Sequence, residues 1–201
     1  VYPGANIRIT SDDIANAMTC YPDALFMQLE IDPEAIIYAA GCAAMQGVPI
    51  FIDAGPASKS FPLHRLPTLE VFSPNETETE IFTGISPNTP ENCLRAAIAL
   101  SKLVNAHYYV IKLGGRGTYI YDGLYYHCLP AYDIKAVDTT AAGDAFTAAF
   151  TLEYLRSGDV ERAGKYGNAV GALTVSRAGA YTSLPTAAEV DEFIARKGIK
   201  L

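Results

Sequence analysis

The chain has 201 residues, half of them hydrophobic and 18% charged, with 22 acidic side chains against 15 basic ones and a net charge of −7. That length supports a sizeable core in a single α/β domain over residues 1–201. The acidic balance excludes a nucleic-acid surface, which needs basic groups to displace phosphate counterions.

No apolar run approaches the ~20 residues of a membrane-spanning helix, and no basic-then-apolar leader opens the chain. The cytoplasm is therefore the expected setting, with no membrane partner. Cys20, Cys42, Cys93 and Cys128 are widely spaced and never form Cys-x-x-Cys, so they read as buried free thiols rather than a zinc or redox site. His64, His107 and His127 show no metal-ligand spacing and read as structural or surface residues.

In chain order, the first run of strand length and composition is 24–29. Pro33 then opens a helix over 34–46, and strands follow at 48–52 and 69–72. Ser73 or Asn75 suits the cap of an acidic helix start running to Glu80. Pro90 begins the next helix, 91–105, with Asn105 as its stop, and a strand follows at 108–113. Gly114 to Gly117 forms a tight turn, and strands 118–121 and 125–129 around Asp122-Gly123 read as an antiparallel hairpin. The last third is helical, at 143–156, 160–177 and 187–197. Strand, helix and strand in alternation imply right-handed crossovers and a mostly parallel sheet.

The chemistry concentrates in Val137-Asp138-Thr139-Thr140-Ala141-Ala142-Gly143-Asp144-Ala145-Phe146, where two carboxylates flank small residues that open an apolar helix. Gly143 and the alanines let backbone N–H groups approach a ligand, and the helix N-terminus adds unpaired donors and a positive dipole end. A phosphate suits such a place. Asp144, in the first turn, is kept ionised and ready to accept a proton from an attacking hydroxyl. Neither a Gly-x-x-x-x-Gly-Lys-Ser/Thr loop nor a Gly-x-Gly-x-x-Gly after a first strand occurs, so Walker and Rossmann chemistries recede.

This run resembles the Asp-Thr-x-(Gly/Ala)-Ala-Gly-Asp signature of the ribokinase-like (PfkB) carbohydrate kinases. Further stretches are similar in the family's order: Pro3-Gly4-Ala5-Asn6, Leu25 to Glu30, Ser73-Pro74-Asn75-Glu76-Thr77-Glu78 against Asn-x-x-Glu, and Lys112-Leu113-Gly114-Gly115-Arg116-Gly117. Ala141 stands where much of the family has glycine, and Asp53-Ala54-Gly55-Pro56 where many ribokinases have Asn-x-x-Pro.

The resemblance implies a three-layer α/β/α fold with a mostly parallel sheet, a C-terminal β-hairpin and helices. It covers about two-thirds of a family member, the N-terminal strands and sugar lid being absent, and this leaves an exposed sheet edge that favours a homodimer. It further implies an ATP-dependent sugar kinase, acting on a pentose such as ribose, or on fructose, adenosine or a ketogluconate. A fragment that binds nucleotide without turnover is the alternative. By the same resemblance Asp144 is the catalytic base and sugar contact, with Ala141, Ala142 and Gly143 as the anion hole. Asn75, Lys112, Gly114, Gly117 and Asn168 bind nucleotide, and Glu30 binds the sugar. Glu78 holds Mg²⁺ through water, while Asp138, Thr140, Val175, Ala178, Ala180 and Ser183 hold K⁺. Gly164, Gly167 and Gly171 in the helix of Asn168 let a backbone or an adenine ring lie close, close packing being the plainer use.

Overall fold

The computed structural model describes residues 4–201; Val1-Tyr2-Pro3, the start of one of the matching stretches, lie outside the described residues. Six strands occur among them: β1 (Leu25–Gln28), β2 (Ile50–Asp53), β3 (Leu69–Ser73), β4 (Ala106–Lys112), β5 (Thr118–Tyr121) and β6 (Tyr126–Leu129). The α-helices are α1 (Ser11–Met18), α2 (Pro33–Met45), α3 (Glu76–Thr83), α4 (Pro90–Ser101), α5 (Ala142–Ser157), α6 (Val160–Val175) and α7 (Ala187–Lys197). The sheet order is β1-β2-β3-β4-β5-β6. Strands β1 to β4 pair in parallel, with Phe26 against Phe51, Phe51 against Val71 and Val71 against Tyr108.

Two elements depart from the sequence expectation. Helix α1 was not foreseen, although Thr10 and Asp13 form a reciprocal capping box at its start. Helix α4 ends at Ser101, four residues before Asn105. The Asn105 carbonyl instead accepts from Leu69 N at 2.9 Å, which commits that residue to the sheet. Between β2 and β3 no α-helix forms. Pro56, Pro62 and Pro67 interrupt that stretch, and it holds only a single 3₁₀ turn, Leu63–Arg65.

The chain groups into two compact units. The first runs through Ile111 and takes in Tyr121–Tyr126. All four residues of β2 are buried, as a parallel strand covered on both faces requires. Ile36, Ala40 and Ala43 of α2 and Ala96, Ala97 and Leu100 of α4 are fully buried with them. Asp122 Oδ1 accepts from Leu124 N and Tyr125 N at 2.8 and 2.6 Å, which turns the chain from β5 into β6.

The second unit comprises Lys112–Ile120 and His127–Leu201. Its core is small-residue helix packing: Ala145 and Ala149 of α5, Ala169, Val170, Ala172 and Leu173 of α6, Val190 and Phe193 of α7. A Cβ added at Gly167 would meet the Phe146 ring at 2.8 Å, and one at Gly164 would meet Leu129 Cδ1 at 2.4 Å. Close packing is thus what these two glycines serve. Glu153, 4% exposed, is held by ion pairs from Arg156, at 2.7 Å, and from Arg162, tying α5 to the start of α6. The free thiols are not uniformly buried. Cys93 is buried and Cys42 half-buried, whereas Cys20 is exposed in the turn after α1 and Cys128 on the alternating outer side of β6.

The cap of α7 makes stability pH-dependent. Glu189 accepts from Arg177 Nη2 at 2.6 Å and from Thr186 N at 2.8 Å. These bonds, Arg177 foremost, hold its carboxyl down at about 2. A carboxyl whose pKa falls on folding stabilises above its ordinary value and loses that contribution as pH drops toward the folded one. The unfolding midpoint of the wild-type chain should therefore exceed that of Glu189→Gln at about pH 6, and the gap should close between about pH 4.5 and about pH 2. Denaturant titrations across that range check it; a gap independent of pH would count against it.

Candidate active site

Helix α5 begins in an unusual way. Its N-cap position is Ala141, which has no side-chain acceptor to offer, so no side chain caps the first turn. Ala141 adopts φ 62° and ψ 3°, the left-handed region, which costs a non-glycine residue about 1–2 kcal/mol. The Ala142 N–H reaches Thr139 O at 3.3 Å and Ala145 N–H closes on Ala141 O at 2.9 Å. Gly143 is exposed, and a Cβ built on it would meet nothing within 4 Å. The fold does not demand glycine there, so the missing side chain keeps space open before the N–H groups. Asp144 is exposed in the same turn.

Lys112, the last residue of β4, reaches this helix from the side. Its Nζ donates to Thr147 Oγ1 at 3.2 Å, and Thr147 Oγ1 donates to Gly143 O at 3.0 Å. Thr147 is 1% exposed and was not singled out in the sequence, where it looks like one more residue of an apolar helix.

The Gly114–Arg116 turn is a 3₁₀ turn closed by Leu113 N to Gly117 O at 2.8 Å. Gly114 lies exposed in it. Gly117 is fixed by the fold: at φ 93° a Cβ would sit 2.0 Å from Leu129 O and 2.5 Å from Ala131 N. Asn168 is buried, and its amide joins three segments. It donates to Leu129 O and Pro130 O, each at 3.2 Å, and accepts from Thr118 Oγ1 at 2.7 Å. Its side chain is thereby engaged in holding the chain that leaves β6 against α6.

Five of the six expected cation ligands, Asp138, Thr140, Val175, Ala180 and Ser183, take part in a hydrogen-bonded clasp that also includes Gly179. Asp138 Oδ1 accepts from Thr140 N at 2.9 Å and Oδ2 from Gly179 N at 3.0 Å. These bonds, that of Gly179 foremost, hold its carboxyl down at about 2. The Val175 carbonyl accepts from Val137 N and Asp138 N at 2.7 and 3.2 Å. The Ala180 carbonyl accepts from the buried Ser183, through Oγ at 2.6 Å and N at 3.2 Å. An all-oxygen set suits a hard monovalent cation in its chemistry. In geometry, both lone pairs of the Val175 and Ala180 carbonyls are engaged within the protein.

In the first unit, Asn75 and Glu78 cap α3 reciprocally: Asn75 Oδ1 accepts from Glu78 N at 2.9 Å, and Glu78 Oε2 from Asn75 N at 2.7 Å. The other carboxylate oxygen, Oε1, lies 2.7 Å from the point a Gly55 Cβ would occupy, and Asp53 Oδ1 lies 3.8 Å from the same point. A side chain at 55 would fill this cradle. Asp53, 4% exposed, stands opposite Ser73 in register. Ser73 Oγ is buried without a hydrogen-bond partner among the described residues. Asp53 and the orphaned Ser73 hydroxyl at the C-terminal ends of parallel strands, with Glu78 in the first turn of α3, fit a divalent ion held largely through water. The sequence signalled Asp53 only as a departure from an asparagine. Glu30 is exposed, two residues beyond β1.

The pattern of the pfkB family carbohydrate kinases matches residues 1–187. The ribokinase of Staphylococcus aureus is 35% identical over 195 residues, covering 96% of this chain and 64% of that protein. An ATP-dependent ribose-1-phosphate kinase of Halopiger xanaduensis is 47% identical over 89 residues, 43% of this chain and 29% of that one. The structure of Arabidopsis thaliana ribokinase complexed with ribose and ATP superposes with a TM-score of 0.87 at 28% identity, over 96% of this chain and 63% of that one. The fold is therefore the three-layer α/β/α ribokinase fold. The chain spans somewhat under two-thirds of the length of the ribokinases it matches.

Two glycines of one turn make opposite forecasts. Gly117→Ala should lower unfolding free energy by about 3 kcal/mol or more, through clash and forbidden backbone, while Gly115→Ala, which meets nothing within 4 Å, should change it by no more than about 0.5 kcal/mol. Ala141→Gly should raise it by up to about 1 kcal/mol, the left-handed strain removed less the entropy glycine loses. Denaturant unfolding of the three variants decides, and a destabilised Ala141→Gly would contradict the strain at that turn.

Proposed function

The chain belongs to the pfkB family of carbohydrate kinases, and on that footing we propose that it transfers the γ-phosphoryl group of ATP to a hydroxyl of ribose. The observation that carries this reading is the start of α5, where Asp144 and N–H groups without a side-chain cap share one turn beside the open space at Gly143.

Phosphoryl transfer asks the protein mainly to position the reactants and to stabilise charge. The first-turn N–H groups and the helix dipole favour negative charge on the transferred group. Asp144, in the same turn, accepts the proton of the attacking hydroxyl. Lys112, Gly114 and Gly117 lie on the nucleotide side, and Asn168 fixes the segment that leaves β6. Asn75, Glu78 and Asp53 would hold Mg²⁺ through water, and the ion when bound neutralises phosphate charge. Glu30 is the proposed sugar contact. No step is routed through a monovalent cation; the Val175 and Ala180 carbonyls of the Asp138 clasp already have both lone pairs engaged.

A second acceptor, ribose 1-phosphate, is favoured by the higher local identity to the Halopiger kinase. ADP release with Mg²⁺ and ATP, measured for ribose, ribose 1-phosphate, fructose, adenosine and no acceptor, separates the two. Ribose-dependent turnover that falls about 10²–10⁴-fold in Asp144→Asn, with ATP affinity retained, is expected. Turnover with ribose 1-phosphate alone would move the acceptor. ATP binding without turnover on any acceptor would leave a nucleotide-binding chain only.

A further inference from the structure

Helices α3 and α4 of the first unit flank an open groove of about 430 Å³ that shares no residue with the candidate active site. One wall is set by the end of α3. Phe82, in its last turn, packs on the Phe72 ring of β3 with the centroids 5.9 Å apart. Gly84 closes the helix in the left-handed region, and Thr83 Oγ1 donates to Thr79 O at 2.6 Å while accepting from Ile85 N at 3.1 Å. The second of these bonds fixes Ile85 as the continuation of the wall.

The opposite wall is the outer side of α4, whose inner side is spent on the core through Cys93, Ala96, Ala97 and Leu100. Arg95, Ile98 and Lys102 follow at spacings of three and four, which places them on one stripe, and all three are exposed toward the groove. Seven residues at a helical rise separate the two cations by about 10 Å along the axis. The order along the stripe is positive, apolar, positive. Arg95 Nη1 donates to Asn92 Oδ1 at 3.2 Å on its own helix, and neither Arg95 nor Lys102 meets a carboxylate among the described residues. Acidic side chains outnumber basic ones in this chain, 22 to 15, and Arg65, Arg156, Arg162 and Arg177 all have carboxylate partners.

A compact anion such as phosphate would leave the apolar floor wet, and a neutral apolar body would leave both cations unanswered. Charge complementarity at both ends with an apolar middle selects a two-headed anion, and the groove lies within the ~300–1,000 Å³ range of small-molecule sites. We propose that the α3–α4 groove binds a linear dicarboxylate of medium length. Its aliphatic chain lies on Phe82, Ile85 and Ile98, with one carboxylate at Arg95 and the other at Lys102. The site does not depend on the kinase reading.

The experiment titrates the full chain with decanedioate, whose extended carboxylates span a distance comparable to that between the cations, and follows backbone amides by heteronuclear NMR. Succinate, too short to reach both cations, and the neutral decanediol are the controls. Decanedioate should give a saturable shift at the amides of Ile85, Ile98 and Lys102 and bind at least about fivefold more tightly than either control. Arg95→Gln and Lys102→Gln should each weaken it about threefold, and Ile98→Ser by a similar factor through the floor. All three positions are exposed, and thermal unfolding shows that each variant is folded. The salt dependence of the wild type provides a measurement free of mutation: affinity for decanedioate should fall as salt is raised, and that for decanediol should not. No saturable shift at these amides, decanediol binding as tightly as the dicarboxylate, or affinity unchanged in both charge variants overturns the proposal and leaves Arg95 and Lys102 as solvated helix charges.

Discussion

The Asp138 carboxylate carries the greatest structural responsibility near the candidate site. With one oxygen on Thr140 N–H and the other on Gly179 N–H, it closes the approach to α5 against the chain that leaves α6. It also meets the donors that would otherwise look for an acceptor in that loop. What remains without a side-chain acceptor is the first turn of α5, because Ala141 occupies the cap position. A serine or aspartate there would satisfy one of those N–H groups internally. The chain instead accepts a left-handed alanine and leaves the turn open, which is a structural cost with no evident return except to a ligand.

Most of the fold was legible because the signals were local. Proline at the first positions of α2 and α4 and the acidic start of α3 each name a helix start, and all three helices form where these signals stand. Strands β2 and β3 are buried apolar runs and were found within two residues. Helix α1 escaped since only Ile14 and Met18 of it are buried, too few for a clear apolar stripe. The end of α4 escaped because it is set by a sheet bond from Leu69 to Asn105, a contact no short window contains.

The site divides in the same way. Asp144, Gly143 and Ala141 could be read from one contiguous run, and Asn75 and Glu78 from their resemblance to the family's Asn-x-x-Glu motif. Thr147 and Asp53 could not. The first matters through a lysine 35 residues away, the second through a glutamate brought near by the narrow passage at Gly55. Asn168 was singled out by the family resemblance alone, and its three hydrogen bonds to Thr118, Leu129 and Pro130 depend on the turn out of β6.

The glycines of α6 have one more consequence, and it concerns the order in which the chain acquires structure. Gly164, Gly167 and Gly171 each weaken an isolated helix by about 0.8–1.0 kcal/mol relative to alanine, and a sixteen-residue segment is marginal in water even with good formers. The stabilising return at Gly164 and Gly167, the close approach to Leu129 and Phe146, exists only once α5 and β6 are in place. Helix α6 is thus expected to form late, condensing onto its neighbours. Its amides are expected to gain exchange protection together with those of α5, never ahead of them.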